Sequence, residues 1–225
     1  MIRVNWKSPV SHYPEFTKGA VSVTKQYQDP DYHYYCEGVR GHWFVAYTRT
    51  GNVITVLDID GKTWMTDEPP FTWSLEYFAD QSRGNVLVAG LGLGIVVHQL
   101  VNNQQVESIT VVEREKDVIK AIKPLLPKDK RIRIVRDDFY IVMEQDSKFR
   151  DTVIWDLGVW NQDDQDDEAI GRHEMLIMPF LHLQKYGDKS KLFRHGLDRD
   201  PVGEKLVRED RGYIKIVREL MRAEQ

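Results

Sequence analysis

The segment Asn85–Gly94 reads NVLVAGLGLG, and the rest of the chain is organised around it. Its apolar run predicts a buried strand, and Gly90, Gly92 and Gly94 predict a tight turn after that strand. The apolar residues Ile95–Leu100 then predict the start of a helix. Strand, glycine turn and helix are the opening of a nucleotide-binding βαβ unit. Because Gly92 and Gly94 carry no Cβ, we expect a ligand to lie against bare backbone there.

The spacing of the glycines is unlike that of two common phosphate-binding loops. The dinucleotide fingerprint needs a glycine at position 95, where this chain has Ile95. The phosphate-cradling loop needs Gly-Lys-Ser/Thr, which this stretch lacks. A Gly-x-Gly-x-Gly pattern without a lysine therefore favours a ligand that is not a polyphosphate.

Acidic residues end or follow the next three predicted strands. Glu113 lies about 20 residues beyond the glycines, the spacing at which a carboxylate binds a ribose in such folds. A carboxylate accepts hydrogen bonds and a ribose diol offers two donors, so Glu113 is predicted to hold a ribose. All these acids fall at strand carboxyl ends, where open α/β sheets bind ligands. The strands and their acids are Ser108–Glu113 with Glu113 itself, Arg131–Val135 with Asp137 and Asp138, and Thr152–Trp155 with Asp156.

A structural interpretation of these acids stays open, because an acid after a strand is often the N-cap of the next helix. It applies to Glu113, and more strongly to Asp137, Asp138 and Asp156. Together with the glycines, however, the repeated pattern favours a nucleotide-type ligand.

The residues before the glycine segment predict a small antiparallel unit. Asp60-Gly61 predicts a hairpin turn, because both central positions of that turn need positive φ. A helix with Pro69-Pro70 at its start is predicted over Phe71–Asp80. The predicted strands are His42–Arg49, Val53–Asp58 and Thr63–Thr66.

The predicted fold class is therefore α/β. A Rossmann-like, mainly parallel sheet flanked by helices follows a small antiparallel β-hairpin unit. The boundary is predicted near Arg83-Gly84, with the hairpin unit and its linking helix at residues 1–82 and the Rossmann-like domain at residues 83–225. Near the C-terminus, Tyr213–Val217 fits either a fifth strand or part of a helix.

Three stretches resemble the class I S-adenosylmethionine-dependent methyltransferases and the spermidine synthases. The run Gly51–Asp58 with Gly61–Thr63 is similar to the spermidine synthase hairpin region, typically Gly-x-Val-Leu-x-Leu-Asp-Gly. Asp137-Asp138-Phe139 resembles their Asp-Gly/Ala-Phe, and the glycine turn resembles the S-adenosylmethionine site of both groups. The resemblance covers residues 40–160.

This resemblance implies S-adenosylmethionine as the cofactor and a role for each site residue. Gly90, Gly92 and Gly94 would pass beneath the amino-acid end of the ligand, and Glu113 would hold the ribose. Asp137, with Asp138 second, would hold the adenine amino group. Asp156 would face the transferred group and act as the catalytic base.

The chain departs from spermidine synthases where they bind the amine substrate. After the fourth strand they carry Asp-Ser-x-Asp-Pro, and Asp156–Trp160 matches only its first acid. They carry Tyr-His-Glu in the preceding helix and an aspartate in the glycine loop, where this chain has Phe71–Tyr77 and two leucines. A cationic polyamine needs several carboxylates to replace its hydration. The sequence therefore predicts a methyltransferase, with an aminopropyltransferase or a non-catalytic binding protein on this fold as alternatives.

The composition of the chain limits the kinds of partner that the protein is expected to bind. The chain has 225 residues and a formal net charge of −4, which provides no general attraction to nucleic acid or to an anionic membrane. Cys36 is the one cysteine, so a disulfide framework is not expected. We expect a reducing, cytoplasmic location instead. The first ten residues contain no apolar run typical of a secretory signal. We expect a small-molecule acceptor, no metal and, as an open alternative, a homo-oligomer.

Overall fold

The computed structural model describes residues 2–3, 8–28, 34–37, 43–47, 52–157 and 181–194. The strands are β1 (Ile2–Arg3), β2 (Phe16–Lys18), β3 (Val21–Gln28), β4 (Tyr34–Glu37), β5 (Trp43–Tyr47), β6 (Asn52–Ile59), β7 (Lys62–Thr66), β8 (Gly84–Ala89), β9 (Val106–Glu113), β10 (Ile132–Arg136), β11 (Thr152–Trp155) and β12 (Lys191–Arg194). The helices are α1 (Pro69–Gln81), α2 (Ile95–Leu100), α3 (Lys116–Ile122) and α4 (Phe139–Gln145), with a 3-10 turn at Lys123–Leu125. Residues 181–186 are also helical.

A five-stranded parallel sheet in the order β10-β9-β8-β11-β12 forms the centre of the fold. The chain builds outward from β8 through β9 to β10, and then returns to add β11 and β12 on the other side. The strand order therefore reverses between β8 and β11, and open sheets of this kind bind ligands in the crevice at that reversal. The predicted α/β, Rossmann-like fold class is confirmed.

Two smaller sheets form the N-terminal part, where the sequence predicted a single small unit. The antiparallel sheet β2-β3-β6-β7 contains the predicted hairpin, and Asp60 and Gly61 adopt φ of 51° and 74° at its turn. Strand β5 is separate from that sheet, because it pairs with β1 and β4 instead. The extra strands β1 to β4 lie in the aromatic and polar first 40 residues, whose weak periodicity gave little signal.

One hydrophobic core joins the four-stranded antiparallel sheet to the parallel sheet. Val23 and Leu57 from the former pack in the same cluster as Val86 and Ile109 from the latter. Helix α1 contributes Phe78, which is completely buried in this cluster. A second cluster fills the opposite face of the parallel sheet, beneath α4. The domain boundary predicted near residue 83 falls between α1 and β8 and stays a prediction.

The fifth parallel strand is β12, which the sequence analysis did not identify. It has only four residues, Lys-Leu-Phe-Arg, so it is too short to show a clear alternation of apolar and polar residues. The helical residues 181–186 precede it and end at Gly187, which has a φ of 67° as expected for a helix stop. Tyr213–Val217 lies outside the described residues.

The N-terminal segment is attached to α2 through a buried tyrosine and a histidine. The hydroxyl of Tyr13 lies 2.8 Å from Nε2 of His98, and the exposed His12 ring is 5.6 Å from the His98 ring. Burial, with a smaller contribution from His12, lowers the pKa of His98 to about 4. The folded protein therefore holds His98 neutral at pH values where an unfolded histidine is protonated.

We predict that this histidine makes the fold less stable in mild acid. Between pH 6.5 and about 4 the unfolded chain binds a proton at His98 that the folded chain does not, so stability falls as the pH is lowered through this window. His98→Gln keeps an acceptor for Tyr13 and removes the titration. The free energy of unfolding, measured with urea, should therefore decrease more in the wild type than in His98→Gln when the pH is lowered from 7 to 4.5. Parallel curves for the two proteins would contradict this assignment.

Candidate functional site

The predicted glycine turn forms a compact loop between β8 and α2. Gly90, Gly92 and Gly94 have φ of 86°, 47° and 74°, a region that favours glycine. The Gly90 N–H donates to the carbonyl of Val112 at 2.9 Å, and the Gly94 N–H donates to that of Leu91 at 2.7 Å. Two of the loop's own N–H groups thus fix its shape.

A Cβ added at any of the three glycines would come close to another atom of the protein. A Cβ on Gly90 would lie 2.6 Å from the backbone oxygen of Asp156, and one on Gly92 would lie 2.5 Å from Sδ of Met65. A Cβ on Gly94 would lie 2.5 Å from Cδ2 of Leu126. Backbone packing therefore accounts for Gly90, whereas at Gly92 and Gly94 the neighbours are the ends of flexible side chains and the positive φ is the stronger constraint. The predicted contact of a ligand with bare backbone at Gly92 and Gly94 stays a prediction.

Glu113 is bonded directly to the glycine loop. One carboxylate oxygen accepts the Leu91 N–H at 2.9 Å, and the other accepts the Glu115 N–H at 2.7 Å. An ionised carboxylate has about four acceptor positions, so two further donors can be accommodated. The side chain is half-buried at the carboxyl end of β9, next to β8. This is the geometry in which the two hydroxyls of a ribose could be held.

The two acids after β10 have different surroundings. Asp138 is the N-cap of α4, where its carboxylate accepts the N–H of Tyr140 at 2.8 Å and that of Ile141 at 3.4 Å. The structural interpretation therefore holds for this residue, although it leaves acceptor capacity unused. Asp137 is exposed, and it accepts the Asp138 N–H at 2.8 Å. Of the pair, Asp137 has the more accessible carboxylate.

Asp156 is placed at the switch point itself. Its N–H donates to the carbonyl of Ala89 at 3.1 Å, which continues the pairing of β11 with β8 by one residue. Its side chain is half-buried. Gly90, Glu113 and Asp156 thus follow or end three adjacent strands at one edge of the sheet, as the sequence pattern predicted.

Met65 is a site residue that the sequence analysis missed. It projects from β7 onto the glycine loop, where its Sδ accepts the Leu93 N–H at 3.4 Å. The antiparallel sheet therefore forms part of the wall of the candidate site. Only its position after the predicted hairpin turn could have pointed to it, since a methionine in a strand is usually read as core packing. Within the described parts of the chain, no group of three metal-ligating side chains comes together.

The solved structures with a similar backbone include spermidine synthases. The crystal structure of spermidine synthase from Thermotoga maritima is 18% identical, with 57% of this chain and 56% of that chain covered at a TM-score of 0.38. The crystal structure of a spermidine synthase in complex with the transition state analogue AdoDATO is 17% identical, with 59% and 55% covered at a TM-score of 0.40. The sequence resemblance was to the class I S-adenosylmethionine-dependent methyltransferases and the spermidine synthases together.

The chain thus spans a little over half the length of each of these structures. No protein-family model matches the chain, and neither does any curated protein sequence. Among the described residues, no helix is both long and apolar enough to cross a bilayer.

The close approach of Gly90 to β11 generates a stability prediction. Gly61, in the exposed hairpin turn, also has a positive φ but has open space around it, so Gly61→Ala should cost only about 1–2 kcal/mol of backbone strain. Gly90→Ala adds a clash with a backbone oxygen that no side-chain rotation relieves, and overpacking of this kind costs about 1–3 kcal/mol more. Urea unfolding of the two variants measures the difference. Equal losses in both variants would show that the space at Gly90 is not limiting.

Proposed function

We propose that this chain is a transferase that binds an adenosyl sulfonium donor, S-adenosylmethionine, at the carboxyl edge of β8, β9 and β11. The observation that carries the proposal is the bond from the Leu91 N–H to Glu113, which joins a ribose-type acceptor to the glycine loop at the strand-order reversal. Glu113 holds the ribose hydroxyls, and Asp137, with Asp138 second, holds the adenine amino group. Gly90, Gly92 and Gly94 carry the methionine part of the donor.

Methyl transfer is the leading reaction in this proposal. The sulfonium group makes the methyl carbon electrophilic, so the protein needs to align an acceptor with the S–C bond and remove a proton where the acceptor carries one. Asp156 stands beside the loop at the end of β11 and is proposed as that base. The acceptor is proposed to be a small molecule that enters at the same edge, in a protein located in the cytoplasm.

Aminopropyl transfer is the second candidate, and the state of the loop N–H groups favours it. The Leu91 N–H is bonded to Glu113 and the Leu93 N–H to the sulfur of Met65. The carboxylate of S-adenosylmethionine would have to compete for these donors, whereas decarboxylated S-adenosylmethionine has no carboxylate to place. The two candidates therefore predict opposite donor preferences.

Calorimetric titration tests the proposal. The ligands are S-adenosylmethionine, S-adenosylhomocysteine, decarboxylated S-adenosylmethionine, 5′-methylthioadenosine and NAD. A preference for the first pair supports methyl transfer, and a preference for the decarboxylated donor and 5′-methylthioadenosine supports aminopropyl transfer. If only NAD binds, the proposal is wrong, and if none of the five binds, the proposal is wrong and the glycine loop is purely architectural.

Glu113→Gln should weaken the best-bound of the four adenosyl ligands by at least tenfold. Glutamine keeps the shape and one acceptor for the loop but loses the charge, and a hydrogen bond to a charged group contributes about 1.5–3 kcal/mol. Glu107→Gln is the matched control, because Glu107 is an exposed acid on the same strand. The control should bind as the wild type does, with unchanged thermal stability. Equal affinity of Glu113→Gln and the wild type would remove Glu113 from the site.

A further inference from the structure

The thioether of Met65 covers the most open point of the glycine loop. Among the five residues Gly90–Gly94, only Gly92 is not fully buried. The side chains of Leu91 and Leu93 are 2% and 0% exposed in the core, so the loop presents its backbone at Gly92. A Cβ on Gly92 would lie 2.5 Å from Sδ of Met65. A ligand that approaches the bare backbone at this glycine therefore meets Met65 first.

The same sulfur accepts a hydrogen bond from the loop. The Leu93 N–H donates to Sδ of Met65 at 3.4 Å. A thioether sulfur is a weak acceptor, whereas hydrogen bonds to an ionised carboxylate are among the strong ones in proteins. A ligand carboxylate at this N–H would therefore form a stronger bond than the one it replaces. The Leu93 N–H is thus held by a weak partner that a carboxylate can displace.

Met65 can leave this position without a rearrangement of either sheet. Its side chain is half-buried and packs at the margin of the core cluster. Methionine has three rotatable bonds and adapts to irregular space. The backbone of Met65 pairs with Leu57 on β6, so a rotation of the side chain leaves the strand pairing intact. The displacement still has a cost, because part of the apolar surface that Met65 buries becomes exposed.

We propose that Met65 is a specificity-determining residue that occupies the place of the ligand carboxylate on the glycine loop. The inference rests on the proposed adenosyl site. A ligand with a carboxylate at its amino-acid end binds only after the thioether has left Gly92 and the Leu93 N–H, and this displacement lowers its affinity. A decarboxylated ligand has only an ammonium group at that end, which cannot accept from the Leu93 N–H. It gains nothing by displacing Met65, so the thioether favours the decarboxylated ligand.

The test compares two ligands that differ only in the carboxylate. S-adenosylhomocysteine carries it and decarboxylated S-adenosylhomocysteine does not, while both have the adenosine, the uncharged sulfur and the amino group. Calorimetry measures the affinity of each ligand for the wild type and for Met65→Ala. The variant should bind S-adenosylhomocysteine about five- to tenfold more tightly, because no packing or hydrogen bond of Met65 has to be given up. Its affinity for the decarboxylated ligand should be unchanged.

Two further variants complete the comparison. Met65→Leu keeps an apolar side chain of similar size but lacks the sulfur, and such exchanges are usually tolerated. It should also bind S-adenosylhomocysteine more tightly than the wild type does, and it takes the place of Met65→Ala if that variant does not fold. Met143→Leu is the matched control, because Met143 is buried in the second cluster, beneath α4. The control should show the wild-type affinity for both ligands.

Three results would contradict the inference. An unchanged ratio of the two affinities in both Met65 variants would show that the thioether does not compete with the carboxylate, although binding of either ligand would still support the adenosyl site. Weaker binding of S-adenosylhomocysteine by both variants would show that Met65 contacts the ligand directly. If neither the wild type nor the variants bind any adenosyl ligand, the adenosyl site and this inference are wrong together.

Discussion

The carboxylate of Glu113 is the contact on which the candidate site depends, because it joins the end of β9 to the loop that follows β8. It accepts the Leu91 N–H at 2.9 Å and the Glu115 N–H at 2.7 Å, and so orders two chain segments at once. The close packing of Gly90 against the backbone of Asp156 connects the end of β11 to the same loop. Three adjacent strand ends are therefore held at fixed positions relative to one another, and a ligand at this edge would meet a site that is already formed.

The N-terminal antiparallel sheet contributes to the same construction. Asp67, just after β7, bonds to Thr55 on β6 twice: its N–H donates to the carbonyl at 3.1 Å, and its carboxylate accepts the N–H at 2.6 Å. A side chain thus extends the strand pairing where the backbone turns toward α1. Burial raises the pKa of Asp67, opposed by its hydrogen bonds and by the charge of Lys25. By fixing the end of β7, this arrangement fixes the strand from which Met65 reaches the loop.

The sequence predicted elements correctly where the local residue pattern agrees with the fold. It did not predict the elements and contacts that form only through tertiary packing. The run around Gly90 predicts a strand, a turn and a helix, because its apolar residues and its glycines indicate the same structure. Asp60-Gly61 predicts its hairpin because these residues readily adopt positive φ. Strand β12 was missed because its short, charged sequence becomes a strand only through pairing with β11. Met65 was missed as a residue of the candidate site because a methionine in a strand is usually part of the core, and only the packing of the antiparallel sheet against the loop brings it there. The N-cap role of Asp138 was an alternative that the sequence left open beside the predicted contact with adenine, whereas the bonding of Glu113 to Leu91 was not expected.

The central claim is that Glu113 and the glycine loop form one nucleoside-binding unit. A crystal structure of the protein grown with saturating S-adenosylhomocysteine or 5′-methylthioadenosine tests it most directly. The account predicts a ribose whose two hydroxyls lie within hydrogen-bond distance of the Glu113 carboxylate, with the ligand seated at the carboxyl edge of β8, β9 and β11. A nucleoside bound elsewhere on the molecule, or a ribose turned away from Glu113, would contradict it.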